Sequence, residues 1–364
     1  MIPRVAVTAE PFWHKVPGGT ARAILRIAEA LLDDGRFEIA GVAARHSKSA
    51  LAAVELPFPV HHYSVPRPAL YESWHRLGLF PVEQVLGPVD LIWAAAMAVP
   101  PASSPLVVSV HDLDFLEHPE RLSARGRRFF PKAWQAARER ADLLVCPTEL
   151  VAEDIVGRGI DRDRVRVTPL GVELVDVTAE QVAEVRARLA LPEEFVLWVG
   201  TIEPRKNLRN LVAAMSRLPD IPLVVAGPDG WVIDDADLLV PLGSRAVRVG
   251  RVAETDLHAL YAAASVFAFP SLAEGFGLPV LEAMAQGTPV VTSAGTATEE
   301  VAGGAAVLVD PHDPEAIAAG VRSILDDDDL ASRLRLAGPR RAAERTWAST
   351  AAGYAAAFDD VLGR

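Results

Sequence analysis

Short apolar runs alternate with helix-period segments from one end of the chain to the other. That alternation leaves few choices of fold. Strands apolar on both faces need covering on both sides, and parallel strands need a crossover between them, so the chain reads as α/β with repeated βα units. In the first half, strands are expected at Arg4–Thr8, Phe37–Ala43, Val89–Trp93, Leu106–Val110, Leu143–Cys146 and Val165–Thr168. Helices are expected there at Thr20–Leu32, Pro131–Arg140 and Glu149–Arg158. In the second half, strands are expected at Phe195–Val199, Leu223–Ala226, Ala246–Val249, Val266–Phe269, Pro289–Thr292 and Ala306–Val309.

Helix starts in the second half are well punctuated. Thr178 with Gln181 forms a capping-box signature, Asn207 is placed to cap a helix Leu208–Ser216, and Asp313-Pro314 precedes a helix Ala316–Leu325. The acidic run Asp326–Asp329, between two helical segments, reads as a solvated loop.

The chain's 364 residues exceed what one core usually supports, so two domains are expected. The junction is read at Pro169–Val172, which gives domains 1–172 and 173–349 and leaves a terminal helix, Tyr354–Leu362, to pack on either. Charge divides along the same line. Residues 1–172 hold 20 Lys and Arg against 20 Asp and Glu, whereas residues 173–364 hold 16 against 28, so the net charge of −12 belongs to the second half. An acidic half argues against nucleic-acid binding, which needs a basic surface. A single cysteine, Cys146, permits no intramolecular disulfide and fits a reducing cytosol. Arg4 and Glu10 interrupt what a signal peptide would need as an apolar stretch. The run Leu91–Val110 is broken by Pro100, Pro101 and Pro105, so it reads as two strands rather than a membrane span. A cytoplasmic protein is expected, with no metal and no organic cofactor.

Three loops that follow expected strands carry the chemistry. Pro17-Gly18-Gly19-Thr20 opens a helix, and its glycines let backbone amides approach an anion, although a plain turn has the same composition. Neither a Walker sequence nor a G-x-G-x-x-G fingerprint is present. The second loop, Gly200-Thr201-Ile202-Glu203-Pro204-Arg205-Lys206-Asn207, sets two cations against a helix macrodipole, a local cost that a bound anion reverses. Backbone amides, a guanidinium and an ammonium together describe a diphosphate site. On this reasoning, removing either cation should cost the unliganded protein no stability. The third loop, Glu274-Gly275-Phe276-Gly277-Leu278-Pro279-Val280-Leu281-Glu282, puts one carboxylate in a loop and one in the first turn of a helix. On one helix they would stand about 12 Å apart, too far for the paired carboxylates of a retaining glycosidase. A loop carboxylate beside a sugar and a helix carboxylate accepting from a ribose diol suit a nucleotide sugar.

The run EGFGLPVLEAMAQGTPVV resembles the Glu, seven residues, Glu signature of retaining glycosyltransferases of family 4, and VHDLDFLEHPE, VGTIEPRKN and the Gly-Gly-Thr loop occur in that family's order. The resemblance covers essentially the whole chain. It implies a GT-B fold: two Rossmann-like domains with a nucleotide sugar in the cleft, held mainly by the C-terminal domain, an acceptor mainly on the N-terminal one, and a last helix, about 350–364, crossing back to the first domain. It implies that Arg205 and Lys206 neutralise the diphosphate and that Glu282 holds the ribose. Glu274, with the amides of Phe276, Gly277 and Leu278, would contact the transferred sugar and the phosphates. Gly19 would let its loop close over the diphosphate, and His111 would face the reacting sugar. Asp112-Leu113-Asp114 and Asp235-Ala236-Asp237 are D-x-D tripeptides of the kind that hold a divalent cation in the other large glycosyltransferase fold, but Arg205 and Lys206 already offer that charge.

The reaction implied is transfer of a hexose from a nucleoside diphosphate sugar to a glycan, lipid-linked or small-molecule hydroxyl acceptor. With GPDGW (Gly227–Trp231), the motifs look most like bacterial mannosyltransferases using GDP-mannose, with a UDP-sugar as the alternative donor. A sugar-nucleotide epimerase and a non-catalytic nucleotide-sugar binding protein are the rival readings. Residues 121–140 hold seven Lys and Arg beside Phe129, Phe130 and Trp134. This segment is read either as a peripheral contact with an anionic membrane, at its inner face, or as a core-packed helix with a solvated basic face.

Overall fold

The computed structural model describes residues 2–14, 18–230 and 237–364. Pro17 of the first glycine loop, Trp231 of GPDGW, and Asp235 and Ala236 of the second D-x-D lie outside the described residues. The chain divides into two units, Met1–Gly171 with Trp347–Arg364, and Val172–Thr346.

The first unit is built on strands β1 (Arg4–Thr8), β2 (Glu38–Ala43), β3 (Val60–His62), β4 (Leu91–Ala94), β5 (Leu106–Ser109), β6 (Leu143–Cys146) and β7 (Val165–Val167). They pair in parallel in the order β3-β2-β1-β4-β5-β6-β7. Its longer helices are α1 (Gly18–Asp34), α2 (Ala124–Arg140) and α3 (Glu149–Gly157). The second unit repeats the scheme with β8 (Val196–Val199), β9 (Leu223–Ala226), β10 (Ala246–Gly250), β11 (Val266–Phe269), β12 (Val290–Ser293) and β13 (Val307–Val309), in the parallel order β10-β9-β8-β11-β12-β13. Its helices include α4 (Ala179–Leu189), α5 (Leu208–Met215), α6 (Glu254–Ala263), α7 (Leu278–Ala285), α8 (Ala297–Ala302), α9 (Pro314–Asp326) and α10 (Asp328–Ala343). In each unit the strand order reverses once, between β1 and β4 and between β8 and β11. At such a reversal the loops beyond the strands' C-terminal ends open a crevice, the usual ligand position in this architecture.

The expected strands are found to within two residues at either end, and β3 is an addition. It is a three-residue edge strand, Val-His-His, with only partial burial, so no apolar run announces it. Helix α2 begins seven residues before Pro131, at Ala124, where the Ser123 hydroxyl accepts from the Gly126 amide. Pro131 therefore lies inside the helix on its exposed side instead of starting it. The aromatic residues of this segment are spent on the core: Trp134 is buried, Phe130 stacks on Phe115 at 4.9 Å, and Phe129 lies 5.2 Å from Tyr71. Arg125, Arg127 and Arg128 are left facing solvent. Thr178 and Gln181 form the expected capping box, and Asp313 caps α9 by accepting from Glu315 N. The acidic run is not only a loop. Asp327 caps α10 by accepting from Leu330 N at 2.8 Å, and Asp328 and Asp329 sit in the first turn, where the macrodipole favours negative charge.

A final helix, α11 (Trp347–Leu362), completes the first unit by packing on α1, β5 and β6. Trp93 Nε1 donates to Ser109 Oγ at 2.9 Å, and Ser109 Oγ is hydrogen-bonded to the buried Tyr354 hydroxyl at 2.9 Å, so the helix is tied into the sheet by a satisfied polar chain. Phe358 meets Phe37 edge to face at 5.5 Å beside it.

Candidate functional site

The loops after β8 and β11 come together at the second unit's strand-order reversal. Pro204–Lys206 form a 3-10 turn closed by Lys206 N donating to Glu203 O, and Leu272 N donates to Arg205 O at 2.8 Å, which fastens one loop to the other. Asn207 occupies the cap position of α5 but does not cap it with its side chain. Its backbone is left-handed, with φ of 57°, and its side-chain amide donates instead to the carbonyls of Pro270 and Pro311, at 2.8 and 2.6 Å. The residue thus ties the β8 loop to the segments after β11 and β13.

That arrangement delivers Arg205 and Lys206 to Glu274. Arg205 Nη1 donates to Glu274 Oε2 at 3.0 Å and to the Ala273 carbonyl, while Lys206 Nζ donates to Glu274 Oε1 at 2.6 Å. Ser271 Oγ donates to the same oxygen at 2.7 Å, and Lys206 lies 5.0 Å over the Phe269 ring. Arg205 Nη2 donates to Glu203 Oε1 at 3.1 Å. The Glu274 side chain is 6% exposed and that of Glu203 8%, against 22% for Arg205 and 13% for Lys206. Burial alone would push the Glu274 carboxyl up, but Arg205, then Lys206, and the hydrogen bonds from Lys206 and Ser271 outweigh it and hold it at about 2. The two cations are thus neutralised by two carboxylates within the protein. The expectation that their removal would cost no stability is corrected: each now balances a buried negative charge, which outweighs the few tenths of a kcal/mol set by the macrodipole.

Beyond Glu274 the chain turns through Gly277 into α7. Gly277 has φ of 100°, and a Cβ there would meet Thr298 Cγ2 at 2.7 Å, so only glycine fits the approach of this turn to the start of α8. The side chains of Phe276 and Leu278 are buried, so what this turn offers a ligand is the backbone at a helix N-terminus. Pro279 lies in the first turn, whereas Glu282 falls beyond it rather than within it. Glu282 is 5% exposed, and its Oε2 accepts from the buried Tyr261 hydroxyl at 2.9 Å. Glu274 and Glu282 therefore have separate partners and separate surroundings. Gly227, with φ of 138°, brings the β9 loop against Gly200, where a Cβ would stand 1.9 Å from the Gly200 carbonyl oxygen. The ends of β9 and β10 border a hollow of about 480 Å³ between Gly227, Pro228 and Asp229 on one side and Arg248, Gly250 and Arg251 on the other.

In the first unit, His111 follows β5 at the C-terminal edge of the sheet, with Nε2 3.2 Å from the Ala95 carbonyl oxygen beyond β4. Burial lowers its pKa against the opposing pull of the Ala95 carbonyl and the Asp112 charge. A neutral imidazole that donates from Nε2 keeps Nδ1 as an acceptor. Gly18 and Gly19 are exposed and lie within the first turn of α1 rather than in a loop ahead of it. Asp114 is ion-paired with Arg121 at 2.6 Å, and among the described residues no group of three or more His, Cys, Asp or Glu stands ready to hold a metal ion. Three partners escape a reading of the sequence: Glu203, Ser271 and Tyr261. Glu203 lies inside the second loop and Ser271 three residues before Glu274, so their positions are a signal the sequence does offer, whereas the approach of Tyr261 to Glu282 depends on helix packing.

The chain is similar to known proteins in sequence and in fold. The model described as Glycosyltransferase Family 4 matches residues 17–176, and that described as Glycosyl transferases group 1 matches residues 182–341. O-antigen chain mannosyltransferase B of Escherichia coli is 33% identical over 253 residues, 66% of this chain and 66% of its own. D-inositol 3-phosphate glycosyltransferase of Salinispora arenicola is 33% identical over 291 residues, 71% of this chain and 64% of its own. The matched stretch thus spans just under two thirds of either relative. Among solved structures, Anabaena HepE in complex with UDP and glucose superimposes with a TM-score of 0.77 at 20% identity, over 98% of this chain and 100% of that one. The chain belongs to glycosyltransferase family 4, with the family 4 module in its first unit, the group 1 module in its second, and the two parallel α/β domains of the GT-B fold.

Proposed function

We propose that the protein is a retaining hexosyltransferase that moves mannose from GDP-mannose to a hydroxyl acceptor in glycan or glycolipid synthesis. The observation that carries the reading is the cluster of Arg205, Lys206 and Glu274 beside the N-terminus of α7. In this reading the second unit takes the donor and the first takes the acceptor. Arg205 and Lys206 neutralise the diphosphate, Glu274 and the amides of Phe276, Gly277 and Leu278 meet the sugar and phosphates, and Glu282 accepts from the ribose. Gly19, in the first turn of α1, lets the backbone there meet the diphosphate, and His111 faces the reacting sugar as a neutral imidazole. The bond from the sugar's anomeric carbon to the phosphate oxygen breaks, the bond to the acceptor oxygen forms on the same face, and the departing phosphate oxygen takes the acceptor's proton. The protein's part is positioning and charge stabilisation, with two cations in the place a divalent metal would fill.

Mannose is supported by the name of the Escherichia coli relative. A UDP-sugar is the alternative donor, supported by the UDP bound in the HepE structure. A thermal-shift comparison of GDP, UDP, GDP-mannose and UDP-glucose separates them, because a ligand of the native state raises its melting temperature. GDP and GDP-mannose are expected to give the larger shifts. Larger shifts with the uridine compounds would reassign the donor, and no shift with any of the four would sink the reading. Transfer is expected to survive EDTA; strict dependence on added metal would return attention to Asp112 and Asp114. A non-catalytic binding protein would show the shifts and no turnover.

The lone cysteine supports a cytoplasmic setting. Among the described residues no helix is long and apolar enough to cross a membrane. Because α2 turns its aromatics inward, any attraction of residues 121–140 to an anionic membrane rests on charge. A membrane contact of this kind would show as co-sedimentation with anionic vesicles at low salt that is lost at physiological salt, and no binding at low salt would leave the core-packed helix with a solvated basic face as the reading. Binding that persists at physiological salt would point to apolar insertion instead.

A further inference from the structure

We infer that Glu203 is a resident counter-ion that competes with the donor diphosphate for Arg205, and so sets how tightly the nucleotide is held. The inference rests on the assignment of Arg205 to the diphosphate. Its own observation is separate: Arg205 is shared between two carboxylates, one arm, Nη1, on Glu274 and the other, Nη2, on Glu203 at 3.1 Å. Glu274 is held on three sides, by Arg205, Lys206 and the Ser271 hydroxyl. Glu203 is held to this cluster by the Arg205 contact, from two residues away on the same short turn.

With both carboxylates in place the cluster of Arg205, Lys206, Glu203 and Glu274 carries no net formal charge. This makes a part-buried guanidinium and ammonium tolerable when no nucleotide is bound. It also means that an incoming diphosphate meets a cation already compensated, and gains from Arg205 only what it can win from Glu203. The exchange needs little movement, because the backbone of Glu203 is fixed independently of its side chain by the bond from Lys206 N to Glu203 O at 3.1 Å. A carboxylate at this place weakens the hold on both donor and product nucleotide, which favours release after transfer.

Glu203→Gln tests this with the fold preserved, since the amide oxygen still accepts from Arg205 while the charge is gone. Calorimetric titration of GDP, UDP and guanosine into the parent and the variant is the measurement, with the melting temperature of each unliganded protein recorded. The variant is expected to bind the nucleoside diphosphate about tenfold more tightly, as the loss of one nearby negative charge from a part-buried site allows. Guanosine affinity should not change. Glu203→Ala, which removes the acceptor as well, should tighten diphosphate binding too, showing that charge rather than shape is responsible. A neutral variant that binds the diphosphate no better than the parent overturns the inference while leaving the donor assignment standing. A parent that binds neither GDP nor UDP overturns both. A merely structural Glu203 would lower the melting temperature without tightening the diphosphate.

Discussion

Glu274→Ala is expected to abolish transfer and to cost the folded protein about 3–5 kcal/mol, the usual consequence of removing one partner from a buried ion pair. The variant leaves Arg205 and Lys206 beside the space their carboxylate occupied, at side-chain exposures of 22% and 13%. Nucleoside diphosphate affinity should stay within a few-fold of the parent, because both cations remain and the ligand itself can balance them. GDP should consequently stabilise the variant by about as much as it stabilises the parent. The acid limb gives an independent check. A carboxylate whose folded pKa lies below its unfolded value stabilises the fold above the unfolded value, and that contribution fades as the pH falls toward the folded one. For Glu274 the window runs from 4.5 down to about 2. Glu274→Gln, matched in shape but uncharged, should be less stable than the parent at neutral pH by about 3 kcal/mol. The gap should begin to close below pH 4.5. Urea unfolding of both proteins across that range measures it. A gap that does not change with pH would refute the ion pairing, and a large loss of GDP affinity in the alanine variant would refute the division between sugar and phosphate.

Arg205→Ala and Lys206→Ala should each weaken GDP binding by about 1.5–3 kcal/mol, the range for a charge-assisted hydrogen bond, and leave guanosine affinity unchanged. Both should also lower the melting temperature of the unliganded protein, since each leaves Glu274 with less compensation inside the fold. The sequence alone argues the opposite sign, because the cost of two cations at a helix N-terminus is visible in it and their counter-ions are not. Arg205→Lys should recover only part of the affinity and the stability. A single ammonium on a shorter reach cannot serve Glu203, Glu274 and the Ala273 carbonyl as the forked guanidinium does. Calorimetric titration of nucleoside and diphosphate into the four proteins decides the matter, and undiminished diphosphate affinity in both alanine variants would remove the phosphate assignment.

What can be read without coordinates follows the physics of each element. Strands such as Leu143–Cys146 and Val266–Phe269 are buried throughout, and burial on both faces writes itself as a continuous apolar run. Edge strand β3 has no such obligation and leaves no such mark. Pro131 suggested a helix start because that is where proline costs least, yet α2 carries it in mid-course on an exposed face. Asn207 illustrates a subtler ambiguity: asparagine suits both a side-chain cap and a left-handed backbone, and local sequence does not choose between them. In the site, the sequence put forward Arg205 and Lys206 through the helix dipole and Glu274 through the family motif, but not that the three would meet one another. That meeting depends on the reversal of strand order between β8 and β11, a long-range property of the sheet.

The second unit is one unbroken stretch of chain, Val172–Thr346, whereas the first is finished only by Trp347–Arg364. During synthesis the second unit can therefore complete its sheet while the first still lacks α11, and the ground that Tyr354 and Phe358 will occupy on Ser109, Trp93 and Phe37 stands open throughout. Removal of Trp347–Arg364 should accordingly injure the unit that is made before the other and spare Val172–Thr346, the one these residues directly follow.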